Sequence, residues 1–571
     1  MTNPFRNPAG PGAPRSVESV RRAALFAVGA AVLALVVFPW LATFVTDLLW
    51  FREIGYEAVF VKSLVWRVAL FAGGAALAFT FVYINVRWAQ HPSRDTPVLF
   101  VNRGDGVRLD VSAVVPKVFL LVATFVALAT GTAASAQWLT YLTAVHGAVV
   151  GTADPLFGRD IGFYLFTLPR LTSVLNTLVG LTVFSLIASG AIHAMRGDLV
   201  LSIERSTVAT RASRQLGVLL ALLFVLLAVR IWIVGTSALL YSTTGPLVGA
   251  SYSDVHVRLP GLRLNAIIGI LAAGTVLYGA LRGGFVRLAA GAIVVYVTAG
   301  VLVRGVVPVA VQKFSVRPNE LVREKPYLDR HIAATRRAWR LDSVETRDLG
   351  GESQLTMADI RANAPTIDNV RLWERDLLRQ TFSQLQEIRT YYDFASVNDD
   401  RYMIDGKYRQ VHLSARELNV ASLPTRNFIN ERLTFTHGMG ITMAPVNQVT
   451  PQGLPVLFIK DVPPVSSISV KVTRPQIYYG ELTSNYVIVG TGQKEFDYPA
   501  GATNVYTNYA GKGGVPIGSF LRRALYAWQM GSLDLVLSSY LTGDARILYR
   551  RNVVERAKLA LPFLQIGRAH V

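Results

Sequence analysis

Long apolar runs fill the first 311 residues of the chain and then stop. Seven of them, at 23–44, 68–86, 118–138, 171–195, 216–234, 264–281 and 288–311, are of a length that lets a helix rising about 1.5 Å per residue cross a hydrocarbon core of about 30 Å. The pattern predicts a membrane α-helical bundle of about seven transmembrane helices over 23–311, with 288–311 as the last span. From 312 the apolar residues come in strand-length runs separated by Gly, Pro, Asn and Asp, which predicts a mixed α+β domain over 312–565.

Within that second half the spacing is specific enough to place elements. Leu372, Leu377, Leu378, Phe382, Leu385 and Ile388 recur at helical intervals and predict an amphipathic helix over 371–389. Asp405-Gly406 between two alternating runs is a strong hairpin signal. Further strands are expected at 440–445, 456–459, 468–472 and 486–489, and two closing helices at 519–530 and 545–559.

Composition sharpens this picture. About half of the residues are hydrophobic, too many for an ordinary soluble protein unless they are segregated as here. The formal charge of +20 does not point to nucleic acid, because much of it sits in short loops beside the apolar runs. Loops 1–22, 87–117, 196–215 and 282–287 hold 15 Lys and Arg against 7 in the alternate loops, which predicts a cytoplasmic N-terminus at 1–22. An odd number of spans then puts 312 onward outside the cell membrane. Arg15, Arg21 and Arg22 precede an apolar run too long for a signal peptide, so 23–44 is expected to stay as a span. Trp40, Trp50, Trp88, Trp138 and Trp232 fall near span ends, where interfacial anchors belong. With no cysteine in the chain, disulfides, thiolate metal sites and cysteine nucleophiles are excluded.

Candidate chemistry is sparse. Arg230 and Arg304 lie inside expected spans, toward the outer side, where they can snorkel to headgroups or share a groove for a phosphate or carboxylate. Glu481, Glu495 and Asp497 stand among Tyr478, Tyr479, Phe496 and Tyr498, the residue mix of a glycan-acting or glycan-binding site. Asp254 and His256 form an acid/base or metal pair only if the loop brings them together; a hydrogen-bonded turn is the simpler reading. Asn398, Asp399, Asp400 and Asp405 lack EF-hand spacing and fit a hairpin better. The glycines of Gly511-Lys-Gly-Gly514 suit an anion but not a P-loop, and His331, His412 and His437 are scattered singly as structural histidines. No metal and no cofactor is expected.

Several stretches carry a resemblance. Asp154-Pro-Leu-Phe-Gly-Arg-Asp-Ile-Gly-Phe-Tyr164, Gly249-Ala-Ser-Tyr-Ser-Asp-Val-His256, Arg317-Pro-Asn-Glu320, Glu324-Lys-Pro-Tyr327 and Asn369-Val-Arg-Leu-Trp373 are similar to segments of uncharacterised protein family 0182. So are Gln384-Leu-Gln-Glu-Ile-Arg389, Thr436-His-Gly438, Arg474-Pro-Gln-Ile-Tyr-Tyr-Gly-Glu481, Glu495-Phe-Asp-Tyr-Pro499 and Tyr509-Ala-Gly-Lys-Gly-Gly514, so that the likeness runs over 47–564. This resemblance implies seven spans, an extracytoplasmic domain and a continuation beyond the present chain; it supplies no activity. Residues 566–571 depart from the pattern and are expected to be a sequencing artefact.

The expected function is an integral cell-envelope protein that binds or scaffolds an envelope lipid, a polymer or export machinery. Its partners would be the lipid bilayer, envelope lipids, glycans or other membrane proteins, and not nucleic acid. The alternatives are an extracytoplasmic glycan hydrolase or transferase, and a transporter subunit that needs a driving partner.

Overall fold

The computed structural model of the chain describes residues 17–90, 115–200, 207–348, 354–501 and 503–562. Expectations attached to 1–16, 91–114 and 566–571 lie outside them. The chain divides into two compact units: residues 1–61 with 350–571, and residues 62–349.

Helix α1 (Val17–Glu53) opens the chain and belongs to the unit of 350–571, and α2 (Glu57–Gln90) leads from it into the helical unit. The helical unit continues with α3 (Val115–Ala136), α4 (Trp138–His146), α5 (Leu168–Met195), the short strands β1 (Leu199–Val200) and β2 (Thr207–Val208), α6 (Thr210–Arg230), α7 (Leu259–Arg282), α8 (Phe285–Val301), α9 (Val307–Val311) and α10 (Glu320–Ala338). Among the described residues six helical segments are long and apolar enough to cross a membrane, and they coincide with the second to seventh expected spans. The first expected span, 23–44, lies within the single helix α1.

Small residues let these helices approach closely, as membrane bundles require. A Cβ on Gly217 would sit 2.3 Å from that of Ala280, joining α6 to α7, and one on Gly269 would sit 3.2 Å from that of Ala228. Between these contacts Phe224, Val276 and Ala289 close a buried cluster that ties α6, α7 and α8 together. Leu, Val and Ile on the opposite faces stay exposed, Leu271, Val294 and Ile187 among them.

The last apolar run does not leave the helix at Val311, as the hydropathy pattern predicts. A π turn at Gln312–Val316 and a 3₁₀ turn at Arg317–Asn319 carry the same helical path on to Ala338. The cause is the amphipathic sequence of α10, where Glu324 is buried while Lys325 and Asp329 pair on the solvent side at 2.9 Å. Apolar length measures the greasy part of a helix and not its end.

In the other unit, α11 (Met357–Ala362), α12 (Ala364–Ile367) and α13 (Arg375–Gln386) precede a sheet. Its strands are β3 (Tyr392–Phe394), β4 (Asn398–Ile404), β5 (Lys407–Leu418), β7 (Ile441–Pro445), β8 (Ile459–Lys460) and β9 (Val465–Ser466). They run antiparallel in the order β3-β5-β7-β8-β9, with β4 also on β5. Asp405 and Gly406 both have positive φ, 51° and 77°, which makes the expected two-residue type I′ turn between β4 and β5. The strand β6 (Gly438–Met439) pairs with β10 (Gln476–Ile477), and β12 (Glu495–Ala500) with β13 (Thr503–Thr507). A third sheet is β11 (Val487–Val489), β15 (Arg546–Leu548) and β14 (Val515–Pro516), followed in space by α14 (Phe520–Met530), α15 (Asp534–Leu537) and α16 (Val553–Ala560).

Three local expectations are corrected here. Residues 545–559 are not one helix: Ile547 and Leu548 are buried at the centre of the third sheet, and Asn552 caps a helix that starts only at Val553. Residues 468–472 are not a strand; Ile468, Val470 and Val472 pack on the sheet core without a ladder, while Ser466 Oγ donates to the carbonyl of Ile468 at 3.1 Å. Trp50 is not an interfacial anchor, because α1 outruns its apolar stretch and carries the indole into the core of this unit at 1% exposure, against Ile488, Ile547 and Tyr549.

That end of α1 is also held by polar contacts. Tyr549 OH donates to the carbonyl of Thr46 at 2.7 Å, Arg550 reaches Asp47 at 2.5 Å and Arg556 reaches Glu53 at 3.3 Å. Gly514 N–H donates to Glu53 Oε1 at 2.9 Å. The glycine-rich segment expected to suit an anion therefore receives one from the protein's own first helix.

Candidate functional site: an arginine-lined groove in the helical unit

Three π turns bound one groove: Ile231–Gly235 continues α6, Asp254–Arg258 leads into α7 and Leu302–Val306 separates α8 from α9. A π turn widens the helix by one residue and breaks the regular order of its faces, which is why such turns recur at functional sites. Here the three turns contribute Ile231, Gly235, Arg258, Val303 and Arg304 to a cavity of about 420 Å³. Arg230, Ser242, Thr243 and Thr244 complete its polar lining.

The three guanidinium groups are not equivalent. Arg258 is neutralised: it contacts Asp254 Oδ1 at 2.9 Å and donates to Thr244 Oγ1 at 2.9 Å. Asp254 is wholly buried and also accepts from Ser251 Oγ at 2.9 Å, so the Gly249–His256 loop is folded around it. Arg230 Nε donates to the neutral Asn176 Oδ1 at 2.7 Å. Among the described residues no carboxylate lies within ion-pair distance of Arg230 or Arg304. The groove thus presents two guanidinium groups whose charge no neighbouring carboxylate offsets, beside a row of hydroxyls. Planar five-donor groups of this kind suit phosphate or carboxylate oxygens.

The loops at 154–164 and 249–256 are held by internal hydrogen bonds and by contacts to 312–324. Glu324, buried on α10, accepts the Tyr252 N–H at 3.0 Å, and Arg323 donates to the Tyr252 hydroxyl at 2.7 Å. Ser253 Oγ donates to Gln312 Oε1 in the π turn before α10. The His256 ring lies 4.4 Å from that of Tyr252, tilted by 38°, while Asp254 accepts from Ser251 N–H and Oγ within the turn. Asp154 accepts the N–H groups of Leu156, Phe157 and Arg159 and the Tyr164 hydroxyl, so the 154–164 stretch is a loop closed on its own carboxylate.

The carboxylates of the other unit are placed differently. Glu495 on β12 is 2% exposed; it accepts from Tyr478 OH at 2.8 Å and from Thr436 Oγ1, and burial pushes its pKa up. Asp497 accepts from Gln476 Nε2 at 3.0 Å and lies 4.0 Å from His437 Nε2. Glu481 stands apart on an exposed turn, where Ser396 Oγ donates to it at 3.2 Å. Beneath them Arg551, wholly buried, donates to the carbonyls of Tyr478 and Thr436 at 2.6 and 2.7 Å, and its burial lowers its pKa to about 10. Glu495 and Asp497 are thus enclosed by protein groups, with Glu495 Oε2 hydrogen-bonded and its Oε1 buried without a hydrogen-bond partner among the described residues.

Of the single histidines, His412 and His437 are buried, and Nε2 of each has no partner among the described residues, so they are structural but not fully satisfied. Burial lowers the pKa of both. Asp399 pairs with Arg375 and lies 2.6 Å from His412 Nδ1, which accounts for the acidic stretch beside the hairpin without a cation. What the sequence did not reveal is Arg258 as a groove residue and the π turns that bring it there. The only visible hint was its i,i+4 spacing from Asp254.

Comparison with known proteins finds relatives over nearly the whole chain. A protein of Geobacter sp. strain M21 is 41% identical over 536 residues, covering 93% of this chain and 60% of the relative. One from Geobacter sulfurreducens is 40% identical, covering 95% and 60%, and one from Cupriavidus necator is 37% identical, covering 98% and 61%. The chain therefore spans about 60% of the length of these curated relatives. No solved structure matches it. The family profile described as "Uncharacterised protein family (UPF0182)" matches residues 24–570, wider at both ends than the motifs that carry the resemblance. The chain belongs to uncharacterised protein family UPF0182.

Proposed function

We propose that this is a multi-pass protein of the bacterial cell membrane, with its N-terminus in the cytoplasm and residues 312 onward outside, whose helical unit holds the anionic headgroup of an envelope lipid in the groove of Arg230 and Arg304. The observation that carries this reading is the pair of guanidinium groups without carboxylate partners on one cavity of about 420 Å³. An arginine at the centre of a membrane helix costs about 2.5–3.5 kcal/mol on insertion scales, and one toward the outer side, as here, costs part of that. A shared anion would offset much of that for both at once, which two separately snorkelling side chains would not need. The hydroxyls of Ser242, Thr243 and Thr244 would fill the remaining headgroup oxygens.

The burial of Glu495 and Asp497 supports a role in holding the outer domain together rather than in sugar cleavage, which needs water and substrate at both carboxylates. The test is native mass spectrometry of the protein released from nanodiscs made directly from its host membrane. The expected result is a copurifying anionic lipid that is lost in the R230Q/R304Q variant and kept in R263Q, whose cation rests on Trp232 at 6.0 Å. Equal lipid content in all three proteins refutes the reading.

A further inference from the structure

A second surface, in the other unit, points to the bilayer from a different direction. α14 begins behind its cap Ser519 and buries Leu525, Tyr526 and Ala527 against the third sheet. Its opposite face leaves Phe520, Leu521 and Trp528 exposed, at i, i+1 and i+8, and Leu533, which caps α15, and Leu537 at its end add two more, 73% and 77% exposed. A soluble domain does not normally show so many large apolar side chains on adjacent helices.

The cations of α14 do not interrupt this face. Arg522 donates to the carbonyl of Pro516 at 3.0 Å, and Arg523 to those of Ile517 and Leu541 at 3.1 and 3.0 Å, so both guanidinium groups are turned back onto the backbone behind the helix. What the face adjoins is α1. Phe38 meets Trp528 edge to face at 5.5 Å, Thr43 Oγ1 donates to Gln529 Oε1 at 3.1 Å, and Phe38, Trp528, Leu533 and Val536 line a cavity of about 440 Å³. On α1 itself the neighbouring Trp40 and Leu41 are exposed, as are Val28 and Leu35 nearer its start. Exposed apolar side chains near the end of the first helix therefore adjoin those of α14, at the level where Trp40 and Trp528 mark an aromatic belt.

We propose that α14 and α15 lie in the headgroup layer beside α1 with their exposed apolar face on lipid acyl chains, so that the outer domain is held to the membrane by an amphipathic helix pair as well as by its span. The cavity between Phe38 and Leu533 takes an acyl chain of a bilayer lipid. This rests on the reading of α1 as a span, and it commits to lipid because the face adjoins that span through Phe38 and Trp528 and the one charge of α15, Asp534, accepts from its neighbour Ser532 Oγ at 3.3 Å, which leaves little for a protein partner to match. Such a helix pair belongs to the class that lies in the plane of the interface.

The natural absence of cysteine makes the test clean. Nitroxide labels on single cysteines at Leu533→Cys, Leu537→Cys, Val28→Cys and Met403→Cys are read in the full chain, in vesicles of phosphatidylethanolamine and phosphatidylglycerol. All four sites are more than half exposed, so the label disturbs little packing. The expected result is that oxygen relaxes the labels at 533 and 537 several-fold more than a water-soluble nickel chelate does, as at 28, with the reverse at 403. If 533 and 537 behave like 403 while 28 remains in lipid, the helix pair faces water and the proposal fails with the span intact. If 28 also relaxes with nickel, α1 is not a span and both readings fall. If 533 and 537 are shielded from both reagents, a protein covers them and the lipid assignment is wrong.

Discussion

Replacing Trp50 by alanine separates the two places this residue could sit. At a membrane interface the loss would be small; in the core against Ile488, Ile547 and Tyr549 it is large. A buried aromatic of this size removes about 150–250 Å² from water, which at ~25 cal/mol per Å² gives about 4–6 kcal/mol. Core Trp→Ala changes cost about 3–5 kcal/mol, in agreement. Arg550 and Arg556, 21% and 24% exposed, lie over the indole at 4.8 and 5.6 Å, adding about 0.5–2 kcal/mol each. Burial therefore dominates, and W50F, which keeps an aromatic face, should lose about 1–2 kcal/mol only. For a unit of this size each kcal/mol shifts the melting temperature by about 2–4 °C, so W50A should melt roughly 6–20 °C lower. The assay is thermal unfolding in detergent micelles, read by pulse proteolysis of the 350–571 region, with W40A as the exposed control. A W50A melting temperature indistinguishable from that of W40A refutes the packing argument.

Other consequences are equally concrete. Burial raises the pKa of Glu495, so the stability it gives is fully present below its unfolded value near 4.5 and is lost as pH rises through the folded value. E495Q, which can still accept from Tyr478 and Thr436, should match wild type at pH 4 and melt higher than it at pH 8; a pH-independent difference would contradict this. A methyl group on Gly480 would lie 2.2 Å from the Glu417 carboxylate, whose oxygens accept the N–H groups of Glu481 and Leu482 at 2.8 Å. G480A should therefore cost at least about 1–3 kcal/mol by overpacking, seen as a lower melting temperature; an unchanged one would show that the turn yields freely.

Much of this was legible before any coordinates. The six later apolar runs, the Asp405-Gly406 turn and the helix at 375–386 each follow from a local periodicity or a local φ requirement, and local rules survive folding. Arg230 and Arg304 were visible because charge inside an apolar run is rare. The misses share a different cause. The helix past Val311, the buried Trp50 and the strand at 546–548 depend on what lies across the fold, and periodicity carries no such information. The same holds for the groove: π turns leave no reliable mark in sequence, so Arg258 could be read as the partner of Asp254 but not as a neighbour of Arg304.

The most direct test of the groove is an experimental density map of the protein in nanodiscs formed from its own membrane, without added lipid. Headgroup-sized density within hydrogen-bond reach of both Arg230 and Arg304, tailing toward the acyl layer, is the predicted result. A well-resolved groove in which these two side chains point apart, or are satisfied by carboxylates of the chain itself, would contradict it.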